Sequence, residues 1–181
     1  MKKGLILLNN NVEDIESLAT RDLLIRSGYN ITTFTLEKEL DIKTAYNMSI
    51  KVDKLIKDID EVNFDFLVLP GGKHVSEWVN QKTPLNRLIN EFNDNGKLIA
   101  AICAAPLFLS KAGILKDKDY TAFPSVVNDI EAIYHSDAKV VKTGNVITAR
   151  SAGVTFDFAF EIVNYLDGND AVNKLKKNII Y

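Results

Sequence analysis

Short uninterrupted apolar runs alternate along this chain with longer stretches in which apolar residues recur every three or four positions. That alternation predicts strand–helix–strand units around a mostly parallel sheet. Gly4 to Leu8 reads as the first strand, and Val12 to Ser27 as a helix stopped by Gly28. Ile31 to Leu36, rich in Thr and Phe, is a second strand, and residues 40–52 predict short strands or a hairpin. Asp65 to Leu69 is a buried strand ending at Pro70-Gly71-Gly72. Thr83-Pro84 opens a helix that runs to Asn95 and stops at Gly96.

Lys97 to Ile102 is nearly continuous in apolar residues and reads as a central strand. Ala104-Ala105-Pro106 starts the next helix, which stops near Gly113. Lys139 to Lys142 and Val146 to Ala149 form a hairpin around Thr143-Gly144-Asn145. Ala152 to Leu166 is an amphipathic helix with a short helical tail after it. The expectation is one doubly wound three-layer α/β/α domain over residues 1–181.

Composition narrows the classes of function. Hydrophobic residues make up 46% of the chain and charged residues 25%, the balance of a globular protein. A net charge of −2 gives no footprint for nucleic acid or an anionic membrane. The longest apolar runs fall far short of a bilayer span, and Leu5 to Leu8 is too short for a signal-peptide core. One cysteine excludes an internal disulfide framework, and two histidines leave little for a metal cage. No metal and no cofactor is expected, and the location expected is cytoplasmic.

Ligands of open α/β sheets bind beyond the carboxyl ends of the strands. Three such turns carry unusual residues: Asn9 to Glu16, Pro70-Gly71-Gly72, and Cys103. Cys103 sits on a strand-to-helix turn, where a nucleophile elbow places its residue. Unpaired N–H groups at a helix start favour a thiolate, which predicts a thiol pKa below the ordinary value. The alternative is a small buried hydrophobe, but the position at the active edge of the sheet outweighs it. On a helix begun near Val12, the inward stripe is Val12, Ile15, Ala19 and Leu23, with Glu16 on the same side. A carboxyl there is desolvated and stays protonated, unless it curls from an edge position into solvent; the helix alone leaves both open.

Gly71 and Gly72 offer a close backbone approach and an oxyanion nest, or only a turn. Arg150-Ser151-Ala152-Gly153 brings further N–H donors from Ser151 and Ala152 to a helix start. His74 follows the glycine turn as an auxiliary candidate, although a surface or structural role weighs more for it and for His135. Leu18, Leu24 and Ile25 lie off the inward stripe of the first helix, which suits a homodimer or packing between sheet and neighbouring helix.

Leu67 to Gly72, Lys97 to Pro106, Glu13 to Glu16, Ala149 to Gly153 and Phe156 to Ala159 together resemble the ThiJ/PfpI superfamily, and best its branch containing the human parkinsonism-associated protein. The resemblance spans essentially the whole chain. It implies a flavodoxin-like sandwich of the class I glutamine amidotransferase type, usually homodimeric. It also implies a reactive Cys103, a protonated Glu16 hydrogen-bonded to the sulfur, and backbone donors at Gly72 and Ala104. Members are associated with glyoxalase or deglycase-type action on small reactive carbonyls, with cysteine-sulfinate sensing and with chaperone behaviour. Two departures stand out. Phe123 occupies the place where many members carry a pocket histidine, and Ala104 stands where the protease-like branch carries one. No His-x-Glu follows late in the chain, so protease and amidotransferase readings rank low.

Overall fold

The computed structural model describes residues 1–181. β1 (Lys3–Leu7) opens the chain, and a wide π-helical turn, Ile15–Ala19, runs into α1 (Thr20–Arg26). β2 (Asn30–Thr35), β3 (Asp41–Lys43), β4 (Ser49–Lys51) and β5 (Lys54–Leu55) follow, with β3 and β4 paired as the expected hairpin. Next come β6 (Phe66–Leu69), α2 (His74–Trp78), α3 (Leu85–Asp94), β7 (Leu98–Ile102) and α4 (Pro106–Lys111). β8 (Asp119–Tyr120) pairs with β9 (Ile133–Tyr134) outside the main sheet. β10 (Val140–Thr143), β11 (Val146–Ala149), α5 (Thr155–Asp167) and α6 (Asn169–Ile179) complete the order.

The main sheet has seven strands in the order β10-β11-β7-β6-β1-β2-β5. Every neighbouring pair is parallel except β10 with β11. The order reverses between β1 and β6, and a crevice beyond their carboxyl ends is where such sheets bind ligands. Although β1, β6 and β7 are apolar at nearly every position, their side chains still alternate between two cores. Leu5, Leu7, Leu67, Leu69, Ile99 and Ala101 pack under α3 and α4. Ile6, Leu8, Phe66, Val68, Ala100 and Ile102 pack under α1, α5 and α6. The result is the flavodoxin-like three-layer sandwich. No helix is long and apolar enough to cross a membrane.

The first helix departs from the sequence reading. The chain does not enter a helix at Val12, which instead bridges antiparallel to Gly72. The π turn that follows holds nearly one residue more per turn than an α-helix and rotates the phase of the face. Glu16, Ser17, Thr20, Leu23 and Leu24 are therefore buried, while Ile15, expected on the inward stripe, is 54% exposed. Leu24, expected off the stripe, is fully enclosed. Mid-helix π turns gather at functional sites, and this one carries the candidate carboxyl.

Candidate functional site

Cys103 is the residue after β7, an interior strand of the sheet, and it has φ 64°, in the left-handed region that residues other than glycine rarely adopt. Such a conformation costs roughly 1–3 kcal/mol and persists only where its surroundings over-determine it. Here they do. The Cys103 N–H donates to the Ala149 carbonyl at 2.9 Å, and the Cys103 carbonyl accepts from the Phe123 N–H at 2.8 Å. The side chain is thereby turned out of the sheet plane toward the turn after β6, as an elbow requires.

That turn has to lack side chains. A Cβ on Gly71 would lie 2.6 Å from Cys103 Cβ and 2.6 Å from Glu16 Oε2. Gly72 has φ 110°, and a Cβ there would meet Asn11 O and Glu13 N at 2.5 Å. Two glycines thus let three turns close on one another. Glu13 ties them further: its N–H donates to the Gly71 carbonyl at 3.0 Å, and its Oε2 accepts from the Glu16 N–H at 2.7 Å. Asp14 does not simply face solvent. It accepts from Thr44 Oγ1 at 2.7 Å and from the Tyr46 N–H at 3.2 Å, fastening the β3–β4 hairpin beside the site.

Glu16 is 1% exposed. Its Oε2 accepts from the Gly71 N–H at 2.9 Å, whereas Oε1 is buried with no conventional hydrogen-bond partner. The Cys103 thiol and the Ala152 N–H are the further groups that bear on the carboxyl. Burial dominates over these, and the neighbouring Glu13 adds to it, so the Glu16 pKa is pushed up to about 7. At neutral pH the carboxyl is poised between its two forms.

The thiol overturns one expectation. Burial raises the Cys103 pKa above the ordinary thiol value, and the Glu16 carboxyl adds to the shift; the Ala104 and Gly72 N–H groups oppose it. The helix-start argument fails because α4 begins only at Pro106 and is six residues long. Too little dipole remains at the sulfur to offset its desolvation. The Glu16 carboxyl is the titratable group that faces the thiol.

The sulfur opens into a cavity of about 280 Å³ whose lining includes Gly72, Ala104, Phe123, Leu107 and Val126. Lys73, Ser76 and Ser125 supply its polar wall. Gly71 stands behind the pair rather than in the wall. Ser151 is also outside the lining, its carbonyl accepting the Val154 N–H at 3.0 Å, and Ala152 serves the carboxyl instead of an oxyanion. His74, the auxiliary candidate, is fully enclosed and does not reach the cavity. Its Nε2 meets the Pro70 carbonyl at 3.1 Å and its Nδ1 meets Asn9 Nδ2 at 3.2 Å. Burial lowers its pKa to about 4, so the ring is neutral and both its nitrogens are engaged. His135 pairs with Asp119 at 2.6 Å on the surface, not with Glu131. No group of three or more His, Cys, Asp or Glu side chains comes together that could hold a metal ion.

Asn9 was legible as the start of the first candidate turn, but its bonding behind the site, to His74 and to the end of β2, was missed. A side-chain amide closing a buried central strand, followed by more Asn, was the available signal, since buried polar groups must find partners.

A flavodoxin-like sheet with a strained cysteine elbow, a glycine pair and a buried glutamate facing the sulfur defines the class. The chain belongs to the DJ-1/PfpI family, which it matches over residues 2–165. Protein dj-1beta of Drosophila melanogaster is 33% identical over 183 residues, covering 99% of this chain and 97% of that one. The crystal structure of that relative superposes with a TM-score of 0.93 at 32% identity, again over 99% and 97% of the two chains. The glutathione-independent glyoxalase DJR-1.2 of Caenorhabditis elegans is 32% identical over 178 residues, 97% of this chain and 95% of that one.

Proposed function

We propose that this protein acts on small reactive carbonyls through Cys103, as a glyoxalase- or deglycase-type enzyme of modest rate. The observation that carries the reading is the orphaned Glu16 Oε1 buried beside a thiol that opens into a small cavity. The glyoxalase name borne by the Caenorhabditis elegans relative supports it. The chemistry follows from the pair. The thiol proton passes to the Glu16 carboxylate, the thiolate adds to the aldehyde carbon, and the resulting alkoxide takes the proton back, giving a hemithioacetal. The Gly72 and Ala104 N–H groups, already directed at the sulfur, stabilise the developing oxyanion. The regenerated carboxylate is then the base at hand for a proton shift between the two carbons of a 2-oxoaldehyde. Methylglyoxal consumption by the purified protein and by Cys103→Ala tests this: turnover by the first and none by the second supports it, and equal rates refute it.

A second reading is favoured by Phe123 and His74. With an aromatic ring in the cavity wall and the nearby imidazole enclosed, no second base faces the sulfur. Such a site suits oxidation of Cys103 to a sulfinate, with two backbone N–H groups and protonated Glu16 to receive its oxygens. The partner would then be another protein or a second copy. Intact mass after graded peroxide distinguishes this reading: a two-oxygen adduct lost in Cys103→Ala supports it, and its absence refutes it.

A further inference from the structure

The Pro70–Gly71 peptide unit is gripped at both ends. Its N–H donates to Glu16 Oε2 at 2.9 Å, and its carbonyl lies 3.1 Å from His74 Nε2. Which of these atoms carries the imidazole proton can be deduced from the residues behind the ring. Asn9 Oδ1 accepts two hydrogen bonds, from Thr35 Oγ1 at 3.0 Å and from the Leu36 N–H at 2.9 Å. Two donors on that atom make it the carbonyl oxygen, so the Asn9 atom facing His74 is the NH₂. His74 Nδ1 must then accept, and the single ring proton resides on Nε2, aimed at the Pro70 carbonyl. A chain of bonds runs from the end of β2 through Asn9, His74 and one peptide unit to the carboxyl beside the thiol.

We propose that His74 is a positioning residue for this site: its Nε2–H fixes the Pro70–Gly71 peptide so that the Gly71 N–H is aimed at Glu16, and it thereby governs how firmly the carboxylate holds its charge beside Cys103. A peptide whose carbonyl accepts a hydrogen bond is polarised and becomes the better donor at its N–H. That donor stabilises the carboxylate form of Glu16. No other hydrogen bond holds the Pro70 carbonyl, and Gly71 has no side chain to restrict the peptide's rotation. The titratable groups bearing on the two ends are few: Glu13 and Cys103 act on Glu16, and Glu77 on His74. From α4, Phe108 packs against the imidazole with ring centroids 5.9 Å apart and carries no charge.

The inference rests on the reading of Glu16 and Cys103 as a pair that shares a proton, and the test separates the two. Iodoacetamide alkylation of Cys103 in the full chain, followed against pH, reports the pair. His74→Leu is expected to shift the Glu16-linked limb upward by about one pH unit, because an N–H that favoured the carboxylate is weakened. His74→Gln, whose amide nitrogen reaches the Nε2 position, restores the wild-type limb. Coincident profiles for wild type and His74→Leu, or equal shifts in both variants, overturn the proposal. Should His74→Leu not fold, the ¹⁵N shifts of the wild-type imidazole decide: a fixed Nε2–H tautomer supports the proposal, and an Nδ1–H or mixed state overturns it. A wild-type profile unchanged by Glu16→Gln removes the shared-proton reading instead, leaving the tautomer to judge His74 by itself.

Discussion

The Phe123 N–H donates to the Cys103 carbonyl at 2.8 Å, so the segment after β8 is pinned to the elbow from which the thiol projects. The Phe123 ring is 43% exposed and forms part of the same cavity wall as the sulfur. A side chain at this position therefore faces whatever binds there.

Phe123→His is expected to raise methylglyoxal turnover. A positioned general base contributes roughly 10²–10⁴-fold, and an imidazole here would relieve Glu16 of serving as both acid and base. Because the ring is substantially exposed, its replacement leaves no sealed void and little stability is lost. Steady-state rates for the two proteins check this. A rate unchanged or lowered in Phe123→His would show that the proton is handled elsewhere.

Gly71→Ala should silence the thiol although alanine is the smallest possible addition. The new methyl would meet Cys103 Cβ and Glu16 Oε2 at 2.6 Å each and the Ile102 carbonyl at 3.0 Å; the carboxylate end can swing away, but the Cys103 Cβ and the Ile102 backbone cannot. Relief requires the turn to move off the elbow, which breaks the Gly71–Glu16 hydrogen bond; overpacking of this kind costs typically about 1–3 kcal/mol. Alkylation rate and urea midpoint should fall together. A normal alkylation profile would mean that the close approach is not needed.

The sheet, its order of elements and the crevice were legible because each apolar run and each Gly or Pro stop acts locally. Cys103 could be placed for the same reason, since the chain leaves a central strand at one residue only. Glu16 was placed on the right side, but its neighbours were not. The stripe through Ile15 assumed an unbroken 3.6-residue period, and the π turn is set by long-range ties of Glu13 to Gly71 and of Asp14 to the hairpin. The raised thiol was misjudged because desolvation depends on tertiary enclosure, which local spacing does not report. The bonding of His74 was out of reach for the same reason: its partners lie 65 positions away at Asn9 and, through it, at the end of β2.

The exposed apolar residues beside the site predict self-association. Ile15 is 54% exposed, and the Asp14 contacts bring the hairpin residues Tyr46 and Met48, 76% and 51% exposed, onto the same side. Of the residues first credited with this role, Leu24 is buried and only Ile25 remains substantially open. Exposed apolar side chains on one side of a protein suit an interface, and a homodimer is the simplest closed solution. Sedimentation at micromolar concentration should give twice the 20.2 kDa chain mass. Ile15→Glu should shift it toward the monomer; a monomeric wild type would contradict the assignment.

Glu16 and His74 make opposite demands on pH, and their near-cancellation is itself testable. Glu16 moves from 4.5 to about 7 on folding, so between those values the folded state holds the extra proton. Its contribution is fully present below about pH 4.5 and is lost as pH rises through about 7. His74 moves from 6.5 down to about 4, so the unfolded state holds the extra proton in that window. Its contribution is present above about pH 6.5 and is lost as pH falls through about 4. Each amounts to something on the order of 3 kcal/mol at one pK unit per 1.36 kcal/mol. From about pH 4.5 to 6.5 the slopes oppose, and these two residues leave the wild type nearly flat. Glu16→Gln should unmask the His74 term, giving stability that climbs with pH across that window. His74→Gln should unmask the Glu16 term, giving stability that falls. Urea unfolding at pH 4.5, 5.5 and 6.5 reads all three proteins, and the surface carboxylates common to them cancel in the differences. Variant curves that run parallel to the wild type would show that neither group is buried in the state described.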